Sequence, residues 1–185
     1  MYKKVLTMAM AAATLATLAA APASASTTPI VEVLSGLPIT IDEPDSLFTC
    51  PGGEVMTGRS HKGDEKGKTT YWCGRVFIDG EAALVQSEGW SFPQKESSSY
   101  FVTSGDQVII GRAHYDDENG KTQYLTGTLY WRGSQMRIAN RHWSGSVKES
   151  GGGVTSSGPL VMTGRTHQDD ENGLTNYEFG SPKVG

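Results

Sequence analysis

Short hydrophobic runs separated by Gly-containing turns make up most of this chain. Between positions 55 and 102, runs rich in β-branched and aromatic residues lie at 55–59, 69–72, 75–78, 83–85 and 99–102. Asp79-Gly80 supplies a turn between two of these runs. After residue 25, no stretch shows the 3.6-residue apolar period of a helix. The pattern predicts an all-β protein.

A polar motif occurs three times along the chain. Its copies read Gly-Arg-x-His-x-x-Asp-Glu-x-Gly-x-Thr-x-Tyr and begin at Gly58, Gly111 and Gly164, so the spacing is 53 residues both times. The segments Lys95-Glu96-Ser97 and Lys148-Glu149-Ser150 keep the same spacing. We therefore expect one all-β domain over 26–185, built from three repeats of about four strands each at 26–78, 79–131 and 132–184.

Units of this size are too small to bury separate cores, which predicts that they pack around one pseudo-threefold axis. The sequence favours a β-trefoil of twelve strands, with a β-prism as the alternative. We expect the strand at 30–34 to pair with 179–184 near the chain end. That pairing would close the ring and leave no exposed strand edge.

The first 25 residues have the pattern of a secretory signal peptide. Lys3 and Lys4 precede an Ala- and Leu-rich apolar run, and Ala23-Ser24-Ala25 is typical of a cleavage site. The sequence thus predicts a secreted protein, extracellular or periplasmic if a second membrane is present. Cys50 and Cys73 are the only cysteines, and in an oxidising compartment they are expected to form one disulfide.

Charge limits the classes of partner. Without Lys3 and Lys4, residues 26–185 contain 14 basic and 20 acidic side chains, a formal charge of −6. A chain without a basic cluster is a poor candidate for binding nucleic acid or anionic membranes. No run after the first 25 residues is long and apolar enough to predict a membrane span, and no motif predicts a cofactor.

The repeated motif is typical of a β-hairpin, and its register decides which side chains share a face. In the second copy, a two-residue Asn119-Gly120 turn would separate Arg112 and His114 from Thr122 and Tyr124. A three-residue loop with a bulge at Gly120 would place all four on one face. Lys66-Gly67 in the first copy favours the looser, bulged loop.

Two interpretations account for the retention of these polar residues. One is a structural network, in which Arg reaches the carboxylates of the turn while His and Tyr pair across the strands. The other is a polar pocket for a glycan or a similar hydroxyl-rich ligand. The candidate ligand-binding residues are Arg59, His61, Asp64, Tyr71, Arg112, His114, Asp117, Tyr124, Arg165, His167, Asp170 and Tyr177.

Other chemistries fit the motif less well. The acidic run at 116–119 lacks the spaced carboxylates of a calcium loop, and zinc would require three distant His to converge, so we assign no metal site. There is no nucleophile elbow, and paired carboxylates at hairpin tips should be solvated, so we do not expect an enzyme. Trp72, Trp90, Trp131 and Trp143 are interpreted as core residues.

The sequence therefore predicts a secreted, lectin-like binding module with up to three equivalent sites, because a repeated weak site gains avidity on a repetitive surface. Its partner would be a glycan or another cell-surface ligand. A protein–protein module, acting as an adaptor or as an inhibitor of an extracellular enzyme, is the alternative. An enzyme of unrecognised type is a third.

Overall fold

The all-β prediction is confirmed. The computed structural model describes residues 28–64, 66–116, 119–170 and 172–185, and its regular elements in these ranges are β-strands and two short 3₁₀ turns. The proposed signal peptide at 1–25 lies outside the described residues. Because the described part of the chain is built of strands, it contains no helix with the length and apolar surface to cross a bilayer.

The described residues form seventeen strands, more than the twelve expected, because strands of two to four residues add to the longer ones, whereas the predicted runs 69–72 and 75–78 form a single strand. In chain order they are β1 (Val31–Ser35), β2 (Ile39–Asp42), β3 (Leu47–Thr49), β4 (Val55–Lys62), β5 (Lys68–Ile78), β6 (Glu81–Ala82), β7 (Leu84–Trp90), β8 (Gln94–Lys95), β9 (Tyr100–Val102), β10 (Gln107–Tyr115), β11 (Lys121–Trp131), β12 (Ser134–Gln135), β13 (Arg137–Trp143), β14 (Val147–Lys148), β15 (Gly153–Thr155), β16 (Val161–Gln168) and β17 (Leu174–Lys183). The 3₁₀ turns are Glu96–Ser98 and Glu149–Gly151.

Three antiparallel sheets are each centred on one long hairpin. The hairpins are β4–β5, β10–β11 and β16–β17, and we name their sheets the first, second and third sheet. On its outer side, each second hairpin strand pairs with two short strands that follow one another in sequence: β1 and β2, β7 and β8, or β13 and β14. The central strands β4, β10 and β16 contact one another in the interior.

Each sheet is completed by a short strand from a distant part of the chain. Strand β15 pairs with β4, β3 with β10, and β9 with β16. The close approach of these strands explains the first residue of the motif. A Cβ at Gly58 would lie 2.8 Å from the Val154 carbonyl oxygen, and one at Gly111 would lie 2.7 Å from that of Phe48. Glycine lets the backbones meet.

The expected pairing between the two chain ends is wrong. Strand β1 pairs with β5, so that Val31 lies opposite Ile78, and the end of β17 pairs with β13. The physical reason is that β5 has a free edge on the side opposite β4, and β1 and β2 of the same unit pair along it. The edge of the first sheet is covered by β15 instead.

The hairpin register agrees with the expected sharing of faces but not with the expected loop length. Arg112 lies opposite Tyr124 and His114 opposite Thr122, so all four side chains share a face. The loop between β10 and β11 spans the five residues 116–120. Its first residue, Asp116, has φ 64°, and Asp169 has φ 71° in the third hairpin, so the left-handed residue precedes the Asn-Gly pair. Asp tolerates this conformation better than most residues.

The interior contains apolar residues from all three hairpins. Val55 and Met56 are both buried, but in two separate apolar clusters. A register shift follows Met56, and the same irregularity follows Ile109 and Met162. The sequence predicts that the four tryptophans are core residues, but none of them is fully buried. Trp90 is 40% exposed, and the other three are partly exposed, with Trp131 packed at the edge of the core.

The predicted disulfide is confirmed. Cys50 and Cys73 are bonded, with their Cα atoms 5.7 Å apart. Cys50 directly follows β3, which belongs to the second sheet, whereas Cys73 lies in β5 of the first sheet. The bond therefore crosslinks two sheets.

We expect the double substitution Cys50→Ala/Cys73→Ala to lower the free energy of unfolding by about 3 kcal/mol, because the crosslink restricts the unfolded chain. Urea denaturation of both proteins, with and without a reductant, measures the loss. The reductant should shift the midpoint of the wild type and leave that of the double variant unchanged. Equal midpoints for all four samples would contradict a stabilising role.

Candidate functional site

The three arginines of the motif lie at the centre of the molecule. Arg59, Arg112 and Arg165 occupy β4, β10 and β16, the strands that contact one another in the interior. Their exposed fractions are 1%, 1% and 0%. Three fully buried guanidinium groups, each permanently charged, require buried anions nearby.

The anions come from three glutamates outside the motif. Glu43, Glu96 and Glu149 are buried and keep the 53-residue spacing. Glu43 follows β2, and the other two begin the 3₁₀ turns. The backbone N–H of each donates to the carbonyl of the second glycine of the motif, Gly67, Gly120 or Gly173, at 3.0, 3.0 and 3.1 Å. The hairpin loops thus hold the glutamates in place.

Arginines and glutamates alternate in a closed ring, which we name the charge ring. Each arginine contacts two glutamates and each glutamate contacts two arginines. The N–O distances are 3.0 Å for Arg59–Glu43, 2.5 Å for Arg59–Glu149, 2.5 Å for Arg112–Glu43, 3.0 Å for Arg112–Glu96, 2.6 Å for Arg165–Glu96 and 3.1 Å for Arg165–Glu149. Three positive and three negative charges cancel.

The retained tyrosines, threonines and histidines of the motif surround the ring. Each arginine donates a hydrogen bond to the phenol of a different hairpin: Arg59 to Tyr177 at 3.2 Å, Arg112 to Tyr71 at 3.4 Å and Arg165 to Tyr124 at 3.3 Å.

Threonines and histidines complete this outer layer of the network. Thr69 and Thr175 donate to Glu43 and Glu149. Thr122 instead accepts from Arg112 Nε at 3.0 Å and donates to a backbone carbonyl. The Nδ1 atoms of His61, His114 and His167 lie 3.7–3.8 Å from Glu43, Glu96 and Glu149 respectively.

Burial and charge oppose each other in setting the pKa values of the ring. Burial alone would raise the pKa of Glu43 and Glu96, but two neighbouring guanidinium groups hold the pKa of each well below its usual value. The pKa of Glu149 is lowered for the same reason. The phenols respond to burial, which raises the pKa of Tyr71 and Tyr177. The glutamates are therefore ionised and the phenols neutral.

The candidate ligand-binding residues divide into two groups. The Arg, His and Tyr of all three copies are buried and contact the charge ring or its partners. Asp64 and Asp170 lie exposed at the hairpin tips, where each accepts a backbone N–H two residues on, and Asp117 lies outside the described residues. This arrangement matches the structural-network interpretation, with two corrections. Arg pairs with Glu43, Glu96 and Glu149, not with the carboxylates of the turn. The His and Tyr do not pair with each other, because His contacts a Thr or the Arg of its own hairpin and Tyr contacts the Arg of another.

The recurrence of Glu96 and Glu149 is visible in the sequence, but their ion pairs with the arginines were not predicted. The signal was available, because Glu43 stands 53 residues before Glu96 and so completes a set of three. An acidic residue retained in all three repeats is the natural ion-pair partner of an arginine retained in all three repeats. Among the described residues, no group of His, Cys, Asp and Glu is arranged to hold a metal ion.

The opposite face of each hairpin differs from sheet to sheet. Side chains alternate along a strand, so the neighbours of Arg59, Arg112 and Arg165 point outward. At the outward position after each arginine stand Ser60, Ala113 and Thr166. Opposite them, the short distant strands place Gly153, Leu47 and Tyr100. The inner face is therefore retained and the outer face varies.

The outer face of the first sheet carries a cleft of about 620 Å³. Its lining residues combine one indole, several hydroxyls, a cation and a glycine-rich backbone: Ser60, His61, Lys62, Trp72, Ser150, Gly151, Gly152, Gly153 and Thr155. Gly153 stands where the other two sheets carry Leu47 and Tyr100, and it lets β15 approach so closely that an added Cβ would overlap Ser60 Cβ. We name this feature the first-sheet cleft.

Comparison of the chain with protein-family models, curated proteins and solved structures gave no match. The function must therefore be argued from the geometry of the charge ring and of the outer faces.

We expect stability to fall in two stages as the pH is lowered. Burial, followed by the charge of Arg165, lowers the pKa of His167 to about 4. The unfolded chain, with a His pKa of about 6.5, takes up this proton first, so stability falls between about pH 6.5 and 4. The ring glutamates have lowered pKa values, so a second loss follows below about pH 4.3, where glutamates of the unfolded chain become protonated.

Urea midpoints measured from pH 8 to pH 3 test both stages. His167→Gln should flatten the profile between pH 6.5 and 4 and leave the loss below pH 4.3. A variant whose profile matches that of the wild type throughout would show that His167 is not the group responsible.

We expect Arg112→Met to lower the free energy of unfolding by about 3–5 kcal/mol, because it leaves Glu43 and Glu96 without one of their two buried cations. Adding Glu96→Met should cost less than the sum of the two single losses, because the remaining four charges still cancel. Arg137→Met, at an exposed position, serves as the control, with a change within about 0.5 kcal/mol. Additive losses would contradict a coupled ring.

Proposed function

We propose that the protein is a secreted, lectin-like binding protein that recognises a glycan or a similar hydroxyl-rich ligand in the first-sheet cleft. The observation that carries this proposal is the composition of the cleft, which combines Trp72 with the hydroxyls of Ser60, Ser150 and Thr155. An indole provides an apolar surface for a sugar ring, while hydroxyls and backbone groups form directional hydrogen bonds with its substituents. The volume lies within the usual range of small-molecule sites.

We further propose that the three repeats, 26–78, 79–131 and 132–184, form one closed domain around a pseudo-threefold axis through the charge ring. The recurrence of Arg–Glu contacts and hairpin registers at the 53-residue spacing supports this architecture. Three separate sheets around a shared interior fit the β-prism better than the β-trefoil favoured by the sequence.

The proposed site differs from the three equivalent sites suggested by the repeated motif. A ligand could contact the motif arginines only if the sheets separated, because their side chains are fully buried and paired. Apart from His61, Ser150 and Thr155, the residues that form the first-sheet cleft do not recur at the equivalent positions of the other repeats. Of the earlier candidate residues, only His61 lines it.

The lining of the cleft favours binding over catalysis. Hydrolysis of a glycosidic bond generally needs two carboxyl groups on opposite sides of that bond. The described residues that line the cleft include no carboxylate. A binding function requires only the hydrogen-bonding groups and the indole surface.

Glycan-array screening followed by titration calorimetry tests the proposal. We expect one bound oligosaccharide per chain, whereas three equivalent hairpin sites would bind three. Trp72→Leu should weaken binding about tenfold or more, corresponding to about 1.4 kcal/mol. Leucine is the residue type that the second sheet carries at this position, Leu125, so the change is compatible with the fold.

Trp143→Leu on the third sheet is the matched control, and it should leave the affinity unchanged. Equal glycan affinity of the wild type and Trp72→Leu would show that the binding site is not the first-sheet cleft. A wild type that binds no glycan on the array would overturn the proposed ligand class.

A further inference from the structure

The outer face of the second sheet carries apolar side chains at two positions where that of the third sheet is polar. Tyr115 takes the position of Lys62 in the first sheet and Gln168 in the third. Leu125 takes the position of Glu178 in the third sheet. The hairpin frame is the same in each case, so the apolar side chains are not needed to form the hairpin.

We name the second-sheet face the surface formed by the exposed side chains of Leu47, Trp90 and Tyr115, which lie above the buried Ala113 and the partly buried Leu125. Leu47, Tyr115 and Trp90 are 67%, 45% and 40% exposed. They are brought together by the order of the strands, since β3 carrying Leu47 and β7 carrying Trp90 flank the β10–β11 hairpin. Phe92, two residues beyond Trp90, is 92% exposed. Gln123 and Lys121 share the face, opposite Ala113 and Tyr115. Exposed large apolar side chains grouped on one sheet mark an interaction site more often than chance.

Charges of opposite sign flank this face. On one side, Lys95 and Lys121 lie directly opposite each other in β8 and β11. On the other side, beyond β10, the Asp116 N–H donates to the exposed carboxylate of Asp45 at 3.3 Å.

The two lysines form an unfavourable pair within a single chain. Like charges directly opposite in a sheet are destabilising. At the corresponding position of the first sheet, Asp42 and Lys68 form an ion pair at 2.9 Å. Within the described residues, neither Lys95 nor Lys121 has such a partner. The second sheet therefore has two exposed cations that an external carboxylate would neutralise.

We infer that a second copy of this chain covers the second-sheet face, forming a twofold-symmetric dimer. A twofold axis lying between the two faces and parallel to the strands places the basic side of each copy over the acidic side of the other. Lys95 and Lys121 then face Asp45 and Asp116 of the second copy, and the apolar residues pack at the centre. A twofold interface must be complementary to itself, and this surface is complementary in both charge and polarity.

This dimer is independent of the proposed glycan cleft, which lies on the first sheet and stays open. If both are present, the dimer carries two clefts. Binding to a surface that displays many copies of a glycan would then gain from linkage of the two sites.

Sedimentation equilibrium of the wild type over about 0.1–100 µM tests the inference, and we expect the mass of two chains. Leu47→Ser/Tyr115→Lys replaces two exposed residues of this face, so it should preserve the fold and weaken the dimer at least a hundredfold. Leu37→Glu changes a residue 89% exposed on the first sheet and should leave the dimer intact. Thermal melts monitored by circular dichroism verify folding of each variant.

A charge exchange identifies the paired sides. Lys95→Glu/Lys121→Glu should weaken the dimer about tenfold or more by placing acid against acid. Adding Asp45→Asn/Asp116→Asn, which suits the positive φ at both positions, should then strengthen the weakened dimer, whereas the Asn changes alone should weaken the wild-type dimer.

Three outcomes would overturn the inference. One is a wild type that stays monomeric up to 100 µM, including the case in which the face binds a different protein. Another is a dimer that persists in folded Leu47→Ser/Tyr115→Lys. The third is a pair of charge changes whose effects add with the same sign, because the lysines and aspartates would then not face each other.

Discussion

The charge ring is the interaction on which the rest of the structure depends. A buried guanidinium or carboxylate without a partner costs several kcal/mol, so none of the six groups can enter the interior alone. Each arginine needs one glutamate close in sequence or in an adjacent unit and a second from elsewhere: Arg59 takes Glu43, 16 residues away, and Glu149, 90 residues away. The three hairpins must therefore be in place together. A ring of this kind specifies an arrangement more than it adds stability.

The ring also separates the two faces of each hairpin into different roles. Retained residues of the motif line the interior, where Arg, Tyr, Thr and His hydrogen-bond one another and the glycines admit a neighbouring backbone. Outward residues make no contacts with the ring and differ among the sheets. The first sheet carries a cleft, the second carries exposed apolar side chains, and the third carries Tyr100 packed against Trp143. Repetition in this chain marks the scaffold, and the positions that do not repeat form the two surfaces that we propose for binding.

Much of the local structure follows from the sequence, and the long-range structure does not. Alternating hydrophobic runs and turn residues predict the strands, and two lone cysteines predict the Cys50–Cys73 bond. Period two also shows that Arg112 and Tyr124 share a face. It does not show that this face points inward, because a polar face is normally the exposed one. The exchange of β3, β9 and β15 between sheets was equally hidden, since strands of three residues can pair with any free edge.

The exchanged strands have a consequence for the order in which the chain can fold. The first sheet is completed by Val154 against Arg59, 95 residues earlier. During synthesis from the amino end, the first hairpin is available early. Strand β15, which covers the edge of its sheet, and Glu149, the second partner of Arg59, come only in the last third of the sequence. Such high contact order makes folding slow. The first sheet can therefore be completed only after residues 149–155 have been synthesised. Until then the chain is available to any process that requires an extended polypeptide.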